Sequence, residues 1–164
     1  MGPGSRSSRT NCPTAHRSLL FAATDQRGVA VHAAVLFSPL PQDSVKLMRI
    51  ISLNIGRPQL HLRDGRPYST AIDRRPVEGP LELTESGLVD DRVSDSKSHG
   101  GPDKALCCYP HEHYAAWRAL LASPLTVPSF GENLTTEGLL EDAICIGDTL
   151  AIGSAVLQDR KSVV

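Results

Sequence analysis

From Met48 onward the chain is built of short apolar runs separated by turn residues, and this punctuation constrains the fold more than any other feature. Strands need only about four to eight residues, whereas packed helices need longer periodic stretches, so the pattern predicts a small β-rich domain. Residues 49–55 form a β-branched run that stops at Gly56, and Leu81 and Leu83 alternate with Glu82 after Pro80. Residues 143–146 and 149–152 flank Gly147-Asp148 and read as a hairpin, and a further strand starts at Ala155 after Gly153-Ser154. One segment departs from this pattern. Behind Pro110, a favoured first helical residue, Tyr114, Trp117, Leu120 and Leu121 recur at helical spacing, and Pro124 and Pro128 keep the helix short. Thirteen glycines, twelve prolines and 4% aromatic residues agree with short strands and many turns. The expected class is therefore mainly β with one or two helices, and 164 residues suit one core.

The first 47 residues read differently. Arg6, Arg9, Arg17, Arg27 and Lys46 face only Asp25 and Asp43, a local net of +3, which leaves -4 for the rest of a chain whose total is -1. The opening Ser/Arg/Thr/Pro-rich stretch has the composition of a transit peptide, but Gly2, Pro3, Gly4 and Pro13 spoil an amphipathic helix. Residues 1–47 are expected to be a disordered or loosely attached extension, with 48–164 the domain and Met48 its functional beginning. The near-neutral charge gives no reason to expect a nucleic-acid partner, and no apolar stretch approaches the roughly 20 residues that cross a bilayer. Cysteines at 12, 107, 108 and 145 follow no convincing secretory leader, so a reducing cytoplasm is expected and the Asn133-Leu134-Thr135 glycosylation match carries no weight.

Four segments can carry chemistry. Ser98-His99-Gly100-Gly101-Pro102-Asp103-Lys104 can bring backbone N–H groups and a cation against a phosphate or carboxylate, although a Gly-Gly loop is also an ordinary turn. In Phe130-Gly131-Glu132-Asn133, an acid and an amide can orient a heteroaromatic ligand or form a polar turn. Asp90, Asp91 and Asp95 lack the ordered spacing of a hard-cation site, and a solvated turn or a loop brace by Asp91 is the plainer role. Cys107, Cys108, His111 and His113 are soft or borderline ligands, but adjacent cysteines point to different sides of a regular element, against a zinc site.

Taken in order, these segments resemble the MOSC domain, the β-barrel module shared with the C-terminus of molybdenum cofactor sulfurases, in its small stand-alone YiiM-like branch. The matching residues are Ser69-Thr70-Ala71-Ile72, Arg75-Pro76-Val77, Gly87-Leu88 with Asp91, and His99-Gly100-Gly101-Pro102-Asp103-Lys104-Ala105-Leu106. They continue through Tyr109-Pro110, Glu112-His113-Tyr114, Trp117, Phe130-Gly131-Glu132-Asn133-Leu134, Gly138-Leu139 and Ile146-Gly147-Asp148, so the resemblance covers about 48–158. It implies a MOSC-type β-barrel that binds the pterin-based molybdenum cofactor and reduces N-hydroxylated bases of the 6-hydroxylaminopurine type. A small-molecule substrate and an electron-donating reductase would be its partners, with neither nucleic acid nor membrane involved. The implied cofactor-binding residues are Asp91, His99, Gly100, Gly101, Lys104, Gly131, Glu132 and Asn133. His99 and Glu132 are the candidates for delivering protons.

The family's molybdenum-ligating cysteine lies in a Pro-Arg-x-Pro-Cys stretch after the strand begun here at Ala155, where this chain reads Asp159-Arg160-Lys161-Ser162-Val163-Val164. The expectation is an incomplete barrel with no protein ligand to the metal and little reductase activity. Cys145, inside an apolar run, is expected to be buried. The alternatives are a non-catalytic cofactor-binding or sulfur-carrier module acting with a redox partner, and a non-functional fragment. Asp90 stands where the family usually has glycine; a positive φ there would cost about 1 kcal/mol.

Overall fold

The computed structural model describes residues 18–23, 29–31 and 48–163, with side chains from 48 to 160. Twelve strands and one α-helix follow in chain order among them. They are β1 (Ser18–Ala23), β2 (Val29–Val31), β3 (Arg49–Ile55), β4 (Gln59–Arg63), β5 (Arg66–Thr70), β6 (Arg75–Pro76), β7 (Leu81–Thr84) and β8 (Gly87–Leu88). A 3-10 turn at Pro102–Lys104 leads into β9 (Leu106–Pro110), α1 (Glu112–Leu121), β10 (Leu134–Glu137), β11 (Thr149–Ile152) and β12 (Ala155–Val163).

Seven strands form one sheet in the order β11-β12-β1-β9-β10-β3-β6, while β2-β7-β8 form a second sheet and β4-β5 a separate hairpin. The described strands do not close into a barrel, since β11 and β6 are the two edges of the large sheet. β1 lies before the expected domain boundary at residue 47 and pairs with β12 on one side and β9 on the other. Cys12 falls outside the described residues. Alternation buries one face of each strand: Leu150 and Ile152 from β11, and Ala155 and Leu157 from β12, join Leu106 and Leu134 in the core. At about 1.5–3 kcal/mol for each large apolar side chain removed from water, this cluster is the main stabilising element. No helix among the described residues is long and apolar enough to cross a membrane.

Three local outcomes add to or differ from the expectations above. The hairpin about Gly147-Asp148 does not form, because residues 143–146 are not a strand. Asp148 instead closes a turn: its carboxylate accepts from the Cys145 N–H at 2.9 Å and its own N–H donates to the Cys145 carbonyl at 2.9 Å. β11 therefore pairs with β12 around Gly153-Ser154, and Cys145 is exposed rather than buried. α1 forms as its periodicity requires, yet Leu120 and Leu121 are 73% and 52% exposed and only Tyr114 is buried. The helix is held by its first two turns, where Tyr114 and Trp117 meet Phe130 and the Trp117 indole donates to Tyr109 Oη at 2.6 Å. The third outcome is the hairpin β4-β5, whose turn Asp64-Gly65 has φ of 52° and 73°. Two successive positive φ angles are what Asp-Gly supplies in a two-residue hairpin turn, a signal present in the sequence.

Candidate functional site

The topology collects the candidate segments at one end of the large sheet. β9 and β10 run parallel, joined across α1, with Leu134 beside Cys108. The loops preceding them, 98–105 and 131–133, consequently enter the sheet at the same end. β3 runs antiparallel to β10 and delivers Asn54 and Gly56 there, and β6, antiparallel to β3, starts there just after Arg74. On the other side, Phe21 of β1 pairs with both Leu106 and Asp159, which puts β12 at the same level.

Part of this end is a closed polar knot around Asp91. Its Oδ1 accepts from the Gly56 N–H at 2.8 Å and from Arg74 Nε at 3.1 Å; its Oδ2 accepts from Arg74 Nη2 at 2.8 Å and Asn133 Nδ2 at 3.0 Å. Arg74 Nη1 donates to the Gly131 carbonyl at 2.5 Å. The Arg74 and Asp91 side chains are only 8% and 9% exposed, so this forked ion pair is a strong and largely dry interaction. Gly131 has φ of 71°, and a Cβ there would lie 3.2 Å from Ile72 and 3.6 Å from Arg74 Nη1, so glycine permits both the turn and the close approach. Asn133 Oδ1 accepts from the Cys107 N–H at 3.2 Å, and its Nδ2 also reaches the Asn54 carbonyl at 3.3 Å. Asp91 and Asn133, both expected to touch a cofactor, thus bind protein groups on several sides. Asp90 has φ of 73° and pairs with Arg57 at 2.9 Å, so the strain expected of a non-glycine residue is present.

Glu132 points the other way, into the protein, and is fully buried. Its Oε1 accepts from Tyr114 Oη and from Thr135 Oγ1 at 2.9 Å, and its Oε2 from the Phe130 N–H at 2.9 Å. Burial, and then the hydrogen bond to Glu132, hold the Tyr114 phenol far above its ordinary range, keeping it a donor. Tyr114 Oη in turn accepts from the Ser129 N–H at 2.9 Å. The carboxylate is thus met by three donors without a cation among them.

The 98–104 loop is the open part. His99 is exposed, and its N–H donates to the Asp95 carbonyl at 3.0 Å. Asp95 also accepts from the Lys97 and Ser98 N–H groups at 2.9 and 3.3 Å; the Ser98 side chain, and then these backbone bonds, lower its pKa. Gly100 and Gly101 follow with φ of 75° and 79°, and a Cβ on Gly101 would meet nothing within 4 Å. Lys104 Nζ donates to the Ser98 carbonyl at 2.6 Å. Between this loop and β12 lies a cavity of about 450 Å³ lined by Asp103, Lys104, Ile146, Gly147, Gln158, Asp159 and Arg160. Arg160 Nη2 pairs with Asp103 at 2.9 Å across it.

Arg74 and Arg160 are the residues that sequence reasoning missed. Arg74 directly precedes the Arg75-Pro76-Val77 segment, and its neighbourhood was the only signal. Of the zinc candidates, Cys108 is in the core, with a thiol pKa pushed up by burial, and His113 Nε2 lies 2.8 Å from Glu141. Among the described residues no group of three or more His, Cys, Asp or Glu is placed to hold a metal ion.

Residues 95–162 match the family model of the MOSC domain. Over 109 residues the chain is 44% identical to the uncharacterized protein YflK of Bacillus subtilis, covering 66% of this chain and 49% of YflK. Over 98 residues it is 45% identical to protein YiiM of Escherichia coli, covering 58% of this chain and 43% of YiiM. A protein of Gibberella moniliformis named "Reductase" is 33% identical over 98 residues, 57% of this chain and 17% of that protein. The crystal structure of YiiM from Geobacillus stearothermophilus superposes with a TM-score of 0.51 and 36% identity, covering 68% of this chain and 49% of that one. Residues 95–162 thus carry the MOSC-domain match, within a chain similar to YiiM and YflK. The likeness is to YiiM-type proteins, and the chain spans no more than about half the length of the relatives it matches.

Proposed function

We propose that the collected sheet end binds the pterin-based molybdenum cofactor, a reading supported by the match to the MOSC-domain model. The observation that carries the reading is the cavity of about 450 Å³ flanked by Lys104 and Arg160, at the end of the sheet to which parallel β9 and β10 also bring residues 131–133. Its volume lies in the range of small-ligand sites. Its lining supports an anionic, heteroaromatic group: Lys104 and, by exchanging its exposed pair with Asp103, Arg160 for a phosphate, the Gln158 amide for a ring edge, and a glycine loop that lets backbone N–H groups approach, with Asp103 and Asp159 as the acidic members of the lining. When bound, the cofactor supplies two-electron chemistry at an N–O bond, for which N-hydroxylated bases such as 6-hydroxylaminopurine are the substrate class.

Within this reading the protein's residues divide the work. Lys104 and Arg160 hold the anion. Asp91, Arg74 and Asn133 hold the neighbouring loops at the same sheet end. His99, exposed on the neighbouring loop, is the residue that delivers a proton to the leaving oxygen. Glu132 fixes the loop from within rather than reaching the ligand, because its carboxylate is turned toward Tyr114, Thr135 and Phe130.

A second reading, a cofactor-holding module acting with an electron-donating partner, is favoured by one observation: none of the cavity-lining residues is a cysteine. Cys145 stands exposed one residue before Ile146, Cys107 is half-buried and Cys108 is buried. The experiment that tests both is incubation of the full chain with molybdopterin and molybdate, followed by desalting and pterin fluorescence, then turnover of 6-hydroxylaminopurine with a reductant. Retention with turnover supports the reductase, retention without turnover supports the module, and loss of all pterin on desalting refutes both.

A further inference from the structure

We propose that Arg74 is a positioning residue: its guanidinium sets the 131–133 loop against the Asp91 loop, at the sheet end that also carries the ligand cavity. The inference rests on the cofactor reading for the identity of the ligand. It rests on the knot itself for the positioning.

Arg74 grips two loops at once. Nε and Nη2 form a fork on Asp91, while Nη1 reaches the Gly131 carbonyl at 2.5 Å, so three of the five guanidinium N–H donors are engaged in one plane. Asp91 extends the grip to the Gly56 N–H and to Asn133, and Asn133 holds the first part of β9 through Cys107. Four chain segments are therefore joined through Arg74, Asp91 and Asn133 together. The buried apolar cluster that holds the sheet together does not include Arg74. Its contacts join loops at the sheet end, where the cavity also lies, and a cation committed to Asp91 is not the one that neutralises a ligand phosphate.

A lysine cannot imitate this. Its ammonium is a point donor that keeps Asp91 paired but cannot hold Asp91 in a fork and Gly131 from the same plane. Arg74→Lys thus preserves the charge balance and removes the tether, separating positioning from simple neutralisation. Two readouts are made on the full chain: amide hydrogen exchange by residue, and retention of molybdopterin after desalting. The expected result for Arg74→Lys is an exchange rate for amides 131–133 raised by about tenfold or more, with that of Cys108 in the core of β9 unchanged. Pterin retention is expected to fall about tenfold or more, as when a group supporting a ligand shell is lost. The double variant Arg74→Gln with Asp91→Asn removes both charges together, leaves no orphaned ion, and is expected to behave in the same way. It keeps the test open should Arg74→Lys fail to fold. Unchanged exchange at 131–133, or pterin retention equal to that of the unmodified chain, overturns the positioning role. If the unmodified chain retains no pterin, the cofactor reading falls and the role toward that ligand falls with it.

Discussion

The two segments that the sequence marks as most chemical end in opposite environments. Residues 131–133 and Asp91 lie where every polar group meets protein: Glu132 is fully buried, Asn133 is 3% exposed, and their partners are backbone amides, hydroxyls and a buried guanidinium. Residues 98–104 are mostly exposed, and their hydrogen bonds stay largely within the loop and its approach, as between Lys104 and Ser98 or His99 and Asp95. The difference separates two reasons for which a chain carries polar residues in a motif. One group is there to hold backbone that has no strand or helix to satisfy it, the other to remain available to a ligand.

The sharpest way to break the comparison is to remove one anion from the closed segment. Asp91→Ala orphans Arg74 at a site where it is 8% exposed and removes the acceptor for Gly56 and Asn133. Losing one partner of a buried pair costs about 3–5 kcal/mol, so urea unfolding should show most of the domain's stability gone. A midpoint within experimental error of the parent would mean that the knot is solvated and that the two segments do not differ in kind.

Next in size is the buried acid. Tyr114→Phe leaves Glu132 Oε1 with Thr135 as its remaining side-chain donor and deprives the Ser129 N–H of its acceptor. The expected loss is about 1–3 kcal/mol by thermal or urea unfolding, the range for a buried polar group left short of partners. Because the carboxylate faces inward, Glu132→Gln should lower stability while changing pterin retention less than Lys104→Ala does. The reverse order would return Glu132 to the ligand.

Much of this was legible in the sequence, and the parts that were not have physical causes. β3 follows its β-branched run from Arg49 to Ile55, β7 and α1 follow their periodicities, and the turn after Ile152 is set by Gly153-Ser154. The strand expected at 143–146 failed because local apolar character cannot reveal that Asp148 will capture the Cys145 N–H. At the site, the order of motifs picked out loops that meet at one end of the sheet, but their burial depends on pairing partners far apart in the chain, such as Asn133 with Asn54. No local pattern distinguishes an asparagine that braces from one that binds. Arg74 was missed for the same reason, since its role exists only once Asp91 and Gly131 are brought to it.

The pH dependence should also belong to the closed segment and its neighbours. Burial, its chief cause in each case, raises both the Cys108 thiol and the Tyr114 phenol above their ordinary values of 9.0 and 10.0. Each group holds its proton more tightly folded than unfolded, so the stability it provides is complete below the unfolded value and is lost as pH rises above it. Urea midpoints are therefore expected to be flat across neutral pH and to decline from about pH 9, first through Cys108 and then through Tyr114. The decline should be shallower in a Cys108→Val, Tyr114→Phe double variant. An equally steep decline there would assign the alkaline loss to groups elsewhere.

The smallest expected effect on stability, and the one that sharpens the comparison most, comes from the open segment. His99→Ala removes an exposed ring, and Lys104→Ala removes a single bond to the Ser98 carbonyl within the same loop, so each should shift unfolding by no more than about 0.5 kcal/mol. Their effects should separate in binding. Lys104 lines the cavity and His99 does not, so pterin retention should fall for Lys104→Ala and hold for His99→Ala. Salt should weaken retention in the parent, because exposed charges are screened over about 8–10 Å at physiological ionic strength, and should weaken it less once Lys104 is gone. His99→Ala should instead reveal itself only in turnover, as a slower 6-hydroxylaminopurine reduction at unchanged pterin retention wherever turnover is measurable. If Lys104→Ala destabilises the fold as Asp91→Ala does, the loop is a structural brace like residues 131–133, and the division between the held and the available segment does not stand.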